Sequence, residues 1–138
     1  MVDDTLGLWR AIHNQIIPTA PLNPDEVAER ATRHHLTLAY EGETPVGNAT
    51  LRPPSPGAST ATVIVRVLPQ FRRRGYGSTY LAWMLAEARA LGATRIETVV
   101  LASNEGGLSF ALANGFVEFD RYTLEGDTTP FIDLYLAS

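Results

Sequence analysis

The stretch Val63–Leu85 constrains the fold of this chain more than any other. Val63, Ile64, Val65 and Val67 read as a buried strand that ends at Pro69. The loop Arg72-Arg73-Arg74-Gly75-Tyr76-Gly77 follows, and a helical pattern begins at once. From Ser78, residues Leu81, Met84, Leu85, Ala88 and Leu91 recur at three- and four-residue spacing, and Gly92 supplies the C-terminal stop. A strand delivered so directly into an amphipathic helix must lie in a sheet that the helix covers.

The loop itself carries chemistry. The first amides of a helix have no intrahelical acceptor and bear partial positive charge, which suits a phosphate group. Gly75 and Gly77 allow an anion close to the backbone, and Arg73 and Arg74 add fork-shaped donors for a pyrophosphate or a 3′-phosphate. Ser78 could cap the helix or donate to the same anion. The loop is not a Walker motif, because the lysine after the glycines is absent. Nor is it a dinucleotide fingerprint, because Tyr80 stands where the third glycine would be required. Taken alone, two glycines and three arginines would fit a solvated turn; the order of strand, proline, arginines, glycines and helix favours an anion cradle.

The remaining segments fill in a layered α/β domain spanning residues 1–138. Leu6, Trp9, Ile12 and Ile16 mark a helix over Thr5–Ile17, closed by Pro18 and Pro21. Asn23-Pro24-Asp25-Glu26 reads as an N-cap, an N1 proline and an acidic first turn, opening a second helix to about Arg33. Leu36–Tyr40 and Val46–Arg52 form a hairpin around Glu41–Pro45, and the Pro53–Gly57 loop leads to a strand over Thr60–Leu68. Arg95–Leu101 is a further strand, a short helix ends at Gly115, and Phe116–Leu124 pairs with Phe131–Leu136 across Gly126-Asp127. Trp9 and Trp83 are assigned to the core.

Composition narrows the chemistry. The 138 residues contain no cysteine, which excludes disulfides, thiolate metal sites and a cysteine nucleophile. All basic residues are arginine, so lysine Schiff-base chemistry is excluded as well. A net charge of −4 gives no general affinity for nucleic acid or anionic membrane. No apolar run approaches the ~20 residues that span a bilayer. Met1, Val2, Asp3 and Asp4 show no leader pattern, and a cytoplasmic location is expected.

Arg72-Arg73-Arg74-Gly75-Tyr76-Gly77 resembles the Gln/Arg-x-x-Gly-x-Gly/Ala signature of the GNAT superfamily of N-acetyltransferases. The strand Val65–Pro69, Asn104 after the next strand, and Asn114-Gly115-Phe116 extend the resemblance over roughly Leu36 to Phe119. It implies a mixed, mostly antiparallel sheet with a splayed parallel strand pair, flanked by helices. It also implies acetyl-CoA as cosubstrate, with no metal. The backbone of Val65, Arg66 and Val67 would pair with the pantetheine arm like an added strand. Arg72, Arg73, Arg74, Gly75, Tyr76, Gly77 and Ser78 would form the phosphate loop, and Asn104 would sit beside the arm. A thioester carbonyl in the splay would be polarised by a strand amide.

Two positions depart from the family pattern. Where many members carry a glutamate base this chain has Val99, and where a tyrosine acid is usual it has Ala111. Glu97, on the same strand face as Val99, and Tyr40 and Tyr76 are the substitutes named for catalysis, with His13, His34 and Tyr122 as further candidates. The resemblance thus implies an N-acetyltransferase acting on an amine of a small molecule or peptide, against the alternative of a non-catalytic acyl-CoA-binding module. The acceptor groove is expected between the first two helices, the Glu41–Pro45 turn and the last hairpin, and the chain's acidity favours a cationic amine. The family's usual first strand has no counterpart before Thr5; an open sheet edge there would favour a homodimer.

Overall fold

In the computed structural model, residues 4–137 are described; the reading of Met1–Asp3 lies outside them. The chain runs α1 (Thr5–Ile16), α2 (Pro24–Ala31), β1 (His35–Glu41), β2 (Thr44–Arg52), β3 (Thr60–Val67), α3 (Tyr76–Ala90), β4 (Arg95–Leu101), α4 (Glu105–Ala113), β5 (Phe116–Tyr122) and β6 (Phe131–Leu136). The second helix begins as its sequence dictates. Asn23 accepts the Glu26 N–H, Glu26 returns the bond to the Asn23 N–H, and Pro24 occupies the first turn. α3 starts at Tyr76, two residues before the expected start, because Gly75 takes the left-handed conformation at the N-cap. Ser78 is therefore inside the first turn rather than a cap.

The six strands form one sheet in the order β1-β2-β3-β4-β6-β5, with β1 and β5 at its edges. Every neighbouring pair is antiparallel except β3 and β4. Among the described residues no strand precedes α1. The mixed sheet and its single parallel pair match the expected α/β architecture.

Strand alternation divides the core into two layers. On one face Ala49, Leu51, Ala61, Val63, Ile96, Ile132 and Leu134 pack with Leu81, Met84 and Ala88 of α3 and Ala111 of α4. On the other, Leu36 and Leu38 meet Trp9 of α1, Leu22 and Val27 of α2. Trp9 is fully buried, and its indole N–H donates to the Ala49 carbonyl at 3.0 Å. Removing that ring would cost ~3–5 kcal/mol. Trp83 differs from its assignment: it is 47% exposed and stacks on Tyr80 at the outer side of α3. The apolar stripe of α3 runs through Tyr80, Leu81, Met84 and Ala88, which turns position 83 away from the sheet.

The feature that positions the site is the parallel pair. β3 and β4 are hydrogen-bonded only where Thr60–Thr62 meet Arg95–Glu97. Beyond that point β3 stays with β2 to Val67, and β4 stays with β6 to Leu101. The two strands separate, leaving backbone edges that face each other without a ladder. No helix of the described residues is long and apolar enough to cross a membrane.

Candidate active site

The splay joins two cavities of similar size. One, about 520 Å³, lies on the α3 side and is lined by Val67, Arg72, Arg73, Gly75, Gly77 and Ser78 among others. The other, about 500 Å³, opens on the α1–α2 side toward Arg30, Arg52, Tyr122 and Phe131. Val65, Arg66, Asn104, Gly107 and Phe110 line both.

The first cavity is shaped by main chain. Gly75 has φ +83° and Arg73 φ +66°, so the loop carries two left-handed residues in three. A nest of successive amides in such a turn binds anions. The first helical bond of α3 is from Thr79 N–H to the Gly75 carbonyl, at 3.1 Å; the preceding first-turn amides have no intrahelical acceptor. Gly77 is a close approach: a Cβ there would lie 2.8 Å from the Phe110 ring. The edge of Val65–Val67 that faces β4 is free of a ladder in this region, as an added extended chain requires. These residues fit a phosphate-bearing ligand with an extended arm.

The three loop arginines part company. Arg72 donates its Nε–H to the Val67 carbonyl at 2.9 Å and lines the cavity, as does Arg73. Arg74 lies outside the lining, over the Phe71 ring, with its guanidinium 3.9 Å from Glu41. Asn104 caps α4, its carbonyl oxygen accepting the Gly107 N–H at 3.0 Å, which leaves its amide N–H groups available at the junction.

The second cavity is made of side chains. Arg66 points from β3 toward α1 and is only 9% exposed. It donates to Asn48 Oδ1 at 3.3 Å and Thr50 Oγ1 at 3.4 Å, and lies 5.6 Å from the centre of the Trp9 ring. Its Nε–H is buried without a partner, and so is that of Arg52. Burial, then repulsion from Arg30 and Arg52, brings the Arg66 guanidinium down to about 9. His13 stacks on Trp9 at 5.5 Å, and burial followed by the Arg66 charge lowers its imidazole to about 4. Asn14 Oδ1 accepts the Leu22 N–H while its Nδ2 donates to the Leu22 carbonyl. The His13 Nδ1 that faces that oxygen at 3.0 Å is therefore the protonated nitrogen, and Nε2 holds the lone pair.

None of the three residues named for catalysis reaches either cavity lining. Glu97 accepts a 2.7 Å bond from Arg95. Tyr40 is half exposed on the edge strand. Tyr76 turns to Glu41, and hydrogen bonding to that carboxylate raises its phenol. His13 and Tyr122 line the second cavity; His34 does not. The Glu41–Pro45 turn, expected at the acceptor groove, is absent from its lining and lies instead beside Arg74.

Asp133 was not foreseen. It pairs directly with Val99 across the β4–β6 ladder, so its carboxylate stands on the sheet face that Val99 occupies, one strand away. The Tyr122 hydroxyl donates to it at 3.3 Å. Partial burial holds its carboxyl above the usual range, against the pull of the Tyr122 bond. No spacing in the sequence links residue 133 to residue 99; only the register does.

A β-α unit with an amide-lined loop at the mouth of a splayed parallel pair offers a site for an anionic ligand with an extended arm. The chain belongs to the acetyltransferase (GNAT) family, whose sequence profile matches residues 4–116. This family takes its acyl group from acetyl-CoA. Among solved structures, a protein assigned as a phosphinothricin N-acetyltransferase superposes with a TM-score of 0.77 at 22% identity, over 96% of this chain and 93% of that one. A Salmonella typhimurium protein assigned as an acetyltransferase, solved with its cofactor acetyl-CoA, gives 0.74 at 17% identity, over 98% and 90%. The ribosomal-protein-alanine N-acetyltransferase of Brucella melitensis gives 0.72 at 19%, over 94% and 92%. Comparison with curated protein sequences finds no match.

Proposed function

We propose that this protein transfers an acetyl or short acyl group from acetyl-CoA to a primary amine. The observation that carries this reading is the meeting of two cavities at the splay, one suited to the cosubstrate and one open to an acceptor. The cosubstrate supplies an activated thioester. The α3 amides and Arg72 and Arg73 hold its phosphates, with Arg74 reaching only the outer rim. Val65–Val67 guide its arm, and Asn104 orients it at the junction.

The acceptor amine enters from the α1–α2 side. Its nitrogen attacks the thioester carbon, a C–N bond forms, the C–S bond breaks and CoA leaves as the thiol. Asp133 does not itself line the cavity but is hydrogen-bonded to Tyr122, which does; the proton lost by nitrogen reaches it through water and returns to solvent. A carboxylate of raised pKa is suited to that exchange, and it supplies on β6 what Val99 lacks on β4. With Ala111 in place of a tyrosine, the thiolate takes its proton from water.

Calorimetric titration with acetyl-CoA tests the first half of this reading and acceptor-dependent thiol release the second. Micromolar binding with turnover of any amine is the expected result. Binding without thiol release over a broad amine panel would favour the non-catalytic module, for which the Val99 and Ala111 substitutions are the supporting observation.

A further inference from the structure

A chain of net charge −4 gathers three arginines in one cavity, and among the described residues none of them has an ion-pair partner. Arg30 reaches it from the last turn of α2, Arg52 from the end of β2 and Arg66 from the middle of β3. The ion pairs among the described residues, Arg33–Glu29, Arg74–Glu41, Arg95–Glu97 and Arg121–Glu118, are all elsewhere. Among the described residues one carboxylate lines the cavity, that of Glu26, and its Oε1 accepts the Asn23 N–H in the helix cap. Asp133 is near enough to Arg52 to be felt electrostatically but forms no ion pair with it.

Burying a guanidinium without an anion is costly, and burying its Nε–H without an acceptor costs more. Arg66 and Arg52 both bear such an orphaned Nε–H. Packing alone does not account for the arrangement. Asn48, Thr50 and Trp9 occupy one side of the Arg66 fork, but Arg52 and Arg30 have no comparable set. Burial, then the Arg30 charge, lowers the Arg52 guanidinium, and burial, then Arg30 and Arg52, lowers that of Arg66, as expected when like charges converge on one space. A planar oxyanion between them would cancel the repulsion and accept from the guanidinium N–H groups that reach the cavity.

We propose that the acceptor is a small amine carrying a carboxylate, bound by Arg30, Arg52 and Arg66. This rests on the acyltransferase reading above and names its substrate class. Arg66 lines the acceptor cavity and the junction alike. A carboxylate held there leaves only a few bonds between it and an amine at the thioester, which selects an α- or β-amino acid. The chain's net charge, which favours a cationic amine, is overruled by the local charge of the cavity.

The test uses L-methionine, L-phenylalanine, L-glutamate and β-alanine, each against its carboxamide, with the intact protein. In thermal-shift and calorimetric titrations without acetyl-CoA, at least one acid should bind at least ten times more tightly than its amide. Arg52→Gln and Arg30→Gln should each reduce that ratio several-fold, while acetyl-CoA affinity stays within twofold. Arg66→Gln should abolish the preference; the other two variants keep the test sound should this one fail to fold. Turnover, where present, should show the same preference in kcat/KM. Acids that bind no better than their amides, or a preference that survives Arg52→Gln and Arg30→Gln, would overturn the proposal. Loss of acetyl-CoA binding with the acid preference intact would instead sink the transferase reading and leave the carboxylate site standing.

Discussion

The two cavities are built by different means. On the α3 side the wall is made of backbone amides, a strand edge and the space left by absent side chains. On the α1–α2 side it is made of side chains delivered by α1, α2, β2, β3 and the β5–β6 hairpin. Main-chain recognition is local: a short segment determines it, and most side chains in that segment are free to vary. Side-chain recognition is assembled from distant positions, and one exchange changes what is bound.

The largest effect expected is on the side-chain half. Asp133→Asn should lower kcat by about 100-fold, the low end of what a positioned proton acceptor contributes, with acetyl-CoA affinity unchanged. The pH profile supplies the sign. Activity needs the carboxylate, so the rate should fall as pH drops through a pKa above the ordinary carboxylate value, and that limb should vanish in the variant. The groups that face it, Tyr122 and Asp120 on β5, Glu97 on β4 and Arg52 on β2, fix where the limb lies. A variant that keeps both the rate and the limb would remove Asp133 from the chemistry.

On the main-chain half, the disruptive change is an added side chain rather than a removed one. Gly77→Val places atoms against the Phe110 ring, where even a Cβ would come within 2.8 Å. Overpacking of this kind costs ~1–3 kcal/mol, and acetyl-CoA affinity measured by calorimetry should fall by a comparable factor, about 10- to 100-fold. Phe110→Ala in the same protein should recover much of the loss by opening the space. Failure to recover would mean that the glycine serves the backbone conformation, not the gap beside Phe110.

This contrast explains what the sequence revealed. The order of elements and the strand–loop–helix unit follow from periodicity, prolines and glycines that act within a few residues, whereas the sheet with its splayed pair was implied by the family resemblance. The glycine–arginine loop that opens α3 was visible as a local motif for the same reason. The acceptor side was not. Arg66 was visible as part of a strand, its backbone assigned to the arm by the resemblance, but its side chain points toward α1, among Asn48, Thr50 and Trp9. Arg30 reads as an ordinary helix-end cation, and Arg52 as the last residue of a hairpin. Asp133 becomes meaningful only when β6 is set beside β4 in register. The expected stripe through Leu81, Met84, Leu85 and Ala88 already turns position 83 outward; Trp83 was assigned to the core by its residue type and not by its place on the helix.

The smallest effect expected falls on Arg74. Sequence alone treats Arg72, Arg73 and Arg74 as one basic cluster, and side-chain logic would make their contributions alike. The fold separates them. Arg72 is fixed to the Val67 carbonyl and Arg73 lines the cavity, whereas Arg74 is more than half exposed and turned to Glu41 and Phe71. An exposed ion pair of this kind is worth at most ~1 kcal/mol, so Arg74→Ala should change acetyl-CoA affinity by less than about fivefold. Any change should shrink further in high salt. Arg73→Ala should cost more than Arg74→Ala, because its charge is inside the cavity. Equal losses at both positions would mean that the bound phosphates draw Arg74 away from Glu41, and Glu41→Gln would then strengthen binding by freeing it. If the main chain dominates this half of the site, neither arginine variant will approach the loss caused by the single valine at position 77.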